Sequence, residues 1–377
     1  MIAPERQYIT LDDENLLKLA IEDGPGFIRS LPPFVIIDEI QRAPNLMLAI
    51  KKSVDEDRRP GRFLLTGSAN LQLMEQIQES LAGRHEPIYL YPLTSHELSS
   101  QPVENSFANA LIHNRLQGQI SAYQDSLQKL KTAVCRGGYP IPLSRSESRA
   151  KKWFEIYIND VIDRDLHNVG NIKNTSALLH LFELCAMRTA SLLEVNTLAK
   201  ECRLSAETVK NYLHILQKLF LIRQLPSWST NLGKRLIKSP KVHVTDTGIV
   251  ASICNLSADD WLFKPDLFGH LIESYTVQQI ITQCSWLDDD VNVYHYRDQK
   301  KREVDLVIEK PRALWGIEMK RASTLTDKDY SGLKELSNLA GKTWMGGAIF
   351  YTGDHIMPTP VKNTFAIPYG ALWDGYK

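Results

Sequence analysis

The sequence predicts a multi-domain α/β protein: a parallel sheet at the N-terminal end, a helical middle, and a second α/β region at the C-terminal end. Three observations carry this. Short apolar runs alternate with helical periodicity over residues 1–100, the pattern from Trp153 to about Phe220 is helical throughout, and strands and helices mix again from about Leu267 to the end. Strands alternating with helices imply parallel pairing, because a parallel strand needs a crossover to return. A length of 377 residues leaves room for roughly two to three domains. The expected segments are 1–100, a connector or lid over 101–152, a helical domain over 153–250, and the second α/β domain over 251–377.

Composition narrows the class further. Hydrophobic residues make up 43% and charged residues 23%, which excludes a disordered, collagen-like or disulfide-scaffold chain. No long uncharged apolar run occurs, so no membrane span is expected. The opening MIAPERQYITLDDENLL carries acids early and is not a secretory signal. Cys135, Cys185, Cys202, Cys254 and Cys284 are scattered and never form C-x-x-C, which fits a reducing cytoplasm and argues against a zinc site. Lys plus Arg equals Asp plus Glu at 44 each, so bulk charge indicates no partner. Local charge says more: Arg188 to Lys241 holds ten bases against three acids, and Cys254 to Asp290 one base against seven acids. Basic blocks often bind nucleic acid and acidic ones divalent metal, although two solvated faces give the same pattern.

In the first segment, FVIID (Phe34–Asp38), RFLLT (Arg62–Thr66) and IYLY (Ile88–Tyr91) read as strands, with a helix over PNLMLAIKKSVDED between the first two. The first strand ends in Asp38 and Glu39, the arrangement that in P-loop NTPases delivers an Asp to Mg²⁺ and a Glu to the attacking water. The second runs into Thr66, Ser68 and Asn70, polar groups placed to touch a γ-phosphate, and Arg84 follows in ESLAGR. Each element alone is also a plain strand end or turn. Together, the run from IIDEIQRAP to ESLAGR resembles the prokaryotic AAA-like ATPases that carry a C-terminal domain of unknown function. The resemblance implies ATP and Mg²⁺ as cofactors, with Asp38, Ser68 and Asn70 on the nucleotide and its metal. It makes Glu39 and Arg84 catalytic, with Arg84 acting across the interface of a homo-oligomer.

That family opens with a strand and a P-loop, and no G-x-x-x-x-G-K-[ST] occurs in this sequence. Gly341-Lys342-Thr343 ends like one but follows a helical stretch, whereas a P-loop follows a strand; it reads as a helix end. QYITLDD corresponds to the strand after the P-loop helix, so Met1 is expected to lie downstream of the phosphate cradle. The reading is an incomplete P-loop NTPase sheet, opened near its centre, in which ATP hydrolysis is not expected.

The middle segment LLEVNTLAKECRLSAETVKNYLHILQKLFLIRQLPSW reads as helix, turn, helix and extended strand, with Ser205 as N-cap. Val209, Leu213, Leu216, Leu219 and Phe220 form the buried stripe of the second helix. Glu207, Thr208, Lys210 and Asn211 then face outward, and Lys234, Arg235, Lys238 and Lys241 fall where a wing would lie. A winged helix would make DNA the partner; such modules also bind proteins, and Glu207 is unwelcome near phosphate.

In the last segment, GHLIESYTVQQIITQC reads as a helix carrying Glu273, followed by strands VNVYHYRD, REVDLVIE and ALWGIEMK. Glu318 and Lys320 are two apart and share a strand face, and a hairpin brings Asp305 beside them. Asp305, Glu318 and Glu273 form a candidate Mg²⁺ set, and Lys320 a candidate catalytic lysine beside a phosphodiester. The order helix–strand–strand–strand–helix–strand with D…E-x-K resembles the PD-(D/E)xK restriction-endonuclease-like superfamily, although Val304 replaces the motif's Pro. A salt-bridged surface trio is the bland alternative, and His295 reads as a packed strand histidine, with an accessory site residue as the other reading. The sequence therefore predicts a cytoplasmic, DNA-associated AAA-like protein. The competing readings are an ATP-independent Mg²⁺ nuclease, a non-catalytic DNA-binding module and an inert remnant.

Overall fold

The computed structural model describes residues 6–68, 81, 83–116, 123, 126–169 and 174–375. The chain divides into two compact units: Met1–Leu90 with Ile158–Leu178 and Lys210–Leu221, and Tyr91–Tyr157 with Leu179–Val209 and Ile222–Lys377. Parts of the helical middle fall in each unit.

The first unit is built on a three-stranded sheet of order β1–β2–β3, comprising β1 (Gln7–Thr10), β2 (Val35–Asp38) and β3 (Phe63–Leu65). Both pairings are parallel, with Ile9 opposite Ile37 and Ile36 opposite Leu64. The crossover after β1 starts with the helix Glu14–Glu22, where the Asp13 carboxylate accepts from the N–H groups of Asn15 and Leu16. The helix Leu46–Glu56 links β2 to β3 and turns Leu46, Met47 and Ile50 inward onto Val35, Ile37 and Ile40. Each such side chain contributes about 1.5–3 kcal/mol by leaving water. The third expected strand does not form: Ile88–Tyr91 has no strand structure, and Ile88 and Leu90 are 78% and 97% exposed. A short apolar run specifies a strand only where a neighbour covers it.

The second unit begins at Tyr91 and includes the helix Ser95–Leu98. The stretch expected to be a connector, 101–152, carries the helices Phe107–Ile112, Ser126–Arg136 and Pro140–Leu143. Phe107 and Leu111 are buried, anchoring a segment whose polar composition hides its few apolar contacts. Gly137 has φ +68°, and a Cβ there would lie 1.8 Å from the Asp246 carboxylate, so the CRGGYP turn requires glycine.

The helix Thr175–Met187 leads into β4 (Ser191–Leu192). The chain then forms the helix Val195–Cys202, a turn with Arg203 in left-handed conformation, and the helix Ala206–Lys218. The Ser205 hydroxyl accepts from the Thr208 N–H at 3.0 Å, the expected N-cap. β5 (Ile222–Leu225) and β6 (Lys241–Val244) follow, and the three strands form an antiparallel sheet of order β4–β6–β5.

The C-terminal part holds a six-stranded sheet of order β11–β12–β10–β9–β8–β7. Its strands are β7 (Asn292–Arg297), β8 (Glu303–Lys310), β9 (Ala313–Met319), β10 (Trp344–Tyr351), β11 (Met357–Pro358) and β12 (Thr364–Pro368). β7, β8 and β9 pair antiparallel, then β9–β10 and β10–β12 pair parallel. The helix Pro265–Cys284 precedes the sheet and the helix Ser331–Ala340 bridges β9 to β10, in the order read from the sequence. Gly341, at φ 54°, ends that helix, so Gly341–Thr343 is a helix terminus.

Candidate functional site: two carboxylate clusters

β8 and β9 bring Asp305 and Glu318 together. Leu306 faces Ile317 across the ladder, so the preceding and following residues are neighbours at the same level. The link is direct, because the Met319 N–H donates to Asp305 Oδ2 at 2.9 Å. The helix Pro265–Cys284 supplies Glu273, and Lys320, just beyond β9, donates to Glu318 Oε1 at 2.7 Å. The structure thus assembles Glu273, Asp305, Glu318 and Lys320 in one place.

Sequence reasoning missed the residue at the centre. Lys241, the first residue of β6, donates to Glu273 Oε1 at 2.6 Å and to Asp305 Oδ1 at 3.1 Å, with Glu303 at 3.8 Å. It is 3% exposed, and lysine is almost never buried to that extent unless paired. A usable signal existed: Lys241 opens KVHV, a run whose four residues are all buried, and it closes the basic block just before the acidic one.

Burial works against the Lys241 charge, but Glu273 and Asp305 outweigh it and keep the ammonium protonated. Burial also raises Asp305, yet Lys241, Lys320 and the Met319 N–H hold it below the usual carboxylate range. Glu318 is pushed up to about 8 by burial and by the Asp305 charge. Glu273 rises for the same two reasons, against the pull of Lys241. Glu318 Oε2 is buried with no hydrogen-bond partner. Mg²⁺ needs about six oxygens at about 2.0–2.1 Å. With the ammonium hydrogen-bonded between Glu273 and Asp305, these carboxylates do not fit such an ion. Among the described residues no group of three or more His, Cys, Asp or Glu is arranged to hold a metal. His295 is buried, and burial lowers its pKa to about 4, as for a packed strand histidine.

The second cluster lies at the carboxyl end of the β1–β3 sheet, the side where open parallel sheets bind ligands. Asp38 ends β2; its Oδ1 accepts from the Thr66 hydroxyl and its Oδ2 from the Tyr8 hydroxyl at 2.5 Å. Burial raises Asp38, but these hydroxyl donors and the Glu39 N–H outweigh it and lower its pKa. Glu39 follows in the left-handed region at φ 55°, uncommon for a residue with a side chain. Its carboxylate accepts from Gln41 Nε2, which also donates to Ser68 Oγ at 3.0 Å. Arg84 pairs in two-pronged fashion with Asp55 of the helix Leu46–Glu56, at 2.8 and 3.2 Å. Asn70 lies outside the described residues. Asp38 and Glu39 fit the carboxylate half of a Mg²⁺–nucleotide site. The glycine-rich cradle and its lysine are not in this sequence.

Part of the basic block is internally consumed. Arg235 forms a bidentate pair with Glu309 at 2.6 and 2.8 Å, Arg188 pairs with Glu201, and Lys238 donates to the Arg297 carbonyl. Arg235 and Lys241, expected on a wing, are therefore held by acids of the C-terminal sheet and its helix. The side chain of Lys234 lies outside the described set. Lys200, Arg203 and Lys210 are exposed.

Residues 3–99 match the AAA domain family, residues 127–260 a domain of unknown function, DUF8612, and residues 268–372 a second one, DUF4143. The N-terminal part is AAA-like, and domains of unknown function follow it, as the resemblance implied. Two uncharacterized proteins, one from Mycobacterium bovis and one from Mycobacterium tuberculosis, are each 28% identical over 360 residues. The alignment covers 94% of this chain and 73% of each relative. Among the described residues no helix is long and apolar enough to cross a membrane.

Proposed function

We propose that this AAA-like chain associates with DNA through its middle segment, read as a winged helix. The observation that carries the reading is the sheet order β4–β6–β5, with two helices and a tight turn inserted between β4 and β5. That is the connectivity of a helix-turn-helix completed by a hairpin. The second helix exposes Glu207, Lys210, Asn211 and His214, and Lys200 and Arg203 precede it. An asparagine on such a helix suits an adenine edge, and the bases suit phosphates. With Arg235 and Lys241 consumed, contact rests on the helix rather than on a strongly basic wing. In the AAA-like part, Asp38 would serve a nucleotide-bound Mg²⁺ and Glu39 a water, with Ser68 beside them.

Fluorescence anisotropy of a labelled duplex tests this. Binding is expected at low salt and should weaken steeply as salt rises. Lys210→Glu should weaken it several-fold, because one phosphate contact becomes a repulsion. No binding at low salt would falsify the reading.

A further inference from the structure

We propose that Lys241 is the resident cation of the C-terminal carboxylate cluster: it stands where a divalent ion would bind and fastens β6 to the helix Pro265–Cys284 and to β8. The proposal is independent of DNA association.

The donor arithmetic supports it. An ammonium has three N–H donors. Glu273 at 2.6 Å and Asp305 at 3.1 Å take two, and Glu303, itself paired with Arg297, stands 3.8 Å away. Asp305 is then committed on both oxygens, to Lys241 and to the Met319 N–H, and Glu318 Oε1 is committed to Lys320. With both Asp305 oxygens and one oxygen each of Glu273 and Glu318 committed, the oxygens that remain, Glu318 Oε2 among them, cannot supply the shell of about six that a divalent ion needs. A cation that enters must first displace a lysine that is 3% exposed and anchored in a buried strand. The D…E-x-K pattern is therefore self-neutralised, and the cluster acts as a junction between two sheets. Charge is what the junction uses: β6 offers an ammonium, and the helix and β8 offer the carboxylates that require one.

The test is Asp305-dependent uptake of Mn²⁺ by the full chain, read from the loss of the free-ion electron paramagnetic resonance signal in parallel samples with and without Asp305→Asn. The wild-type chain should show none. Lys241→Ala should gain it, tightening Mn²⁺ binding by roughly a hundredfold or more, the scale on which removing one partner of a buried ion pair acts. Lys241→Ala/Asp305→Asn should lose it again. Asp305-dependent uptake by the wild type overturns the proposal, and so does a folded Lys241→Ala chain that gains none. If Lys241→Ala does not fold, the wild-type comparison still decides, together with amine labelling read by mass spectrometry. Lys241 should stay unlabelled while exposed lysines such as Lys210 react; labelling at their rate overturns the proposal.

Discussion

The two carboxylate clusters use the same residue types in opposite ways. At the end of β2, Asp38 sits at an open sheet rim, held by the hydroxyls of Tyr8 and Thr66, with Glu39 beside it. At the β8–β9 pair, Asp305 and Glu318 are each 6% exposed and faced by the ammonium groups of Lys241 and Lys320. The difference lies in what each surrounding tolerates. Near water a carboxylate needs only orienting donors, whereas inside a sheet it needs a counter-charge or a proton. The rim carboxylate is oriented by neutral hydroxyls, and the interior cluster has met its counter-charge within the chain.

The sharpest way to break this contrast is at Lys241. Lys241→Met leaves Glu273 and Asp305 buried without their ammonium and should cost about 3–5 kcal/mol in urea unfolding. Asp38→Asn, which keeps an acceptor at the rim, should cost about 1 kcal/mol or less. Similar losses at the two positions would erase the distinction.

A pH series comes next. Burial pushes Asp246 up to about 6, against the N–H groups of Gly138 and Gly248 that it accepts from. A carboxyl raised on folding adds stability that is full below about 3.8 and lost as pH rises through about 6, roughly 3 kcal/mol in all. Asp38 has the opposite sign: its contribution is present above the ordinary Asp value and lost as pH falls through its lowered folded value. Comparing the stability–pH curve of wild type with that of Asp246→Asn should flatten the pH 4–6 portion in the variant. An unchanged slope there would remove Asp246 from the account.

The smallest expected effect is at Tyr8. Tyr8→Phe deletes one of the two hydroxyls on Asp38 and should raise its pKa, at little cost in stability. A carboxyl-carbon NMR titration measures it. No change in Asp38 would mean that Thr66 alone sets the rim.

Much of this was legible along the chain. VIID is a run of three buried residues ending in a half-buried acid, and its place in a parallel sheet followed from the helix beside it. Asp305, Glu318 and Lys320 share a face because strand periodicity is two and the turn between β8 and β9 is short. Those are local rules, and residues a few positions apart obey them whatever the rest of the molecule does. IYLY formed no strand, and its Ile88 and Leu90 stay exposed, an outcome that no local rule supplies. Only the tertiary structure decided that Lys241 completes the second cluster, reaching Glu273 across 32 residues of sequence and Asp305 across 64. A lone lysine in a polar-to-basic stretch looks solvated. What buries it is the meeting of three elements, and the need to neutralise charge inside a sheet becomes visible only once those elements are in place.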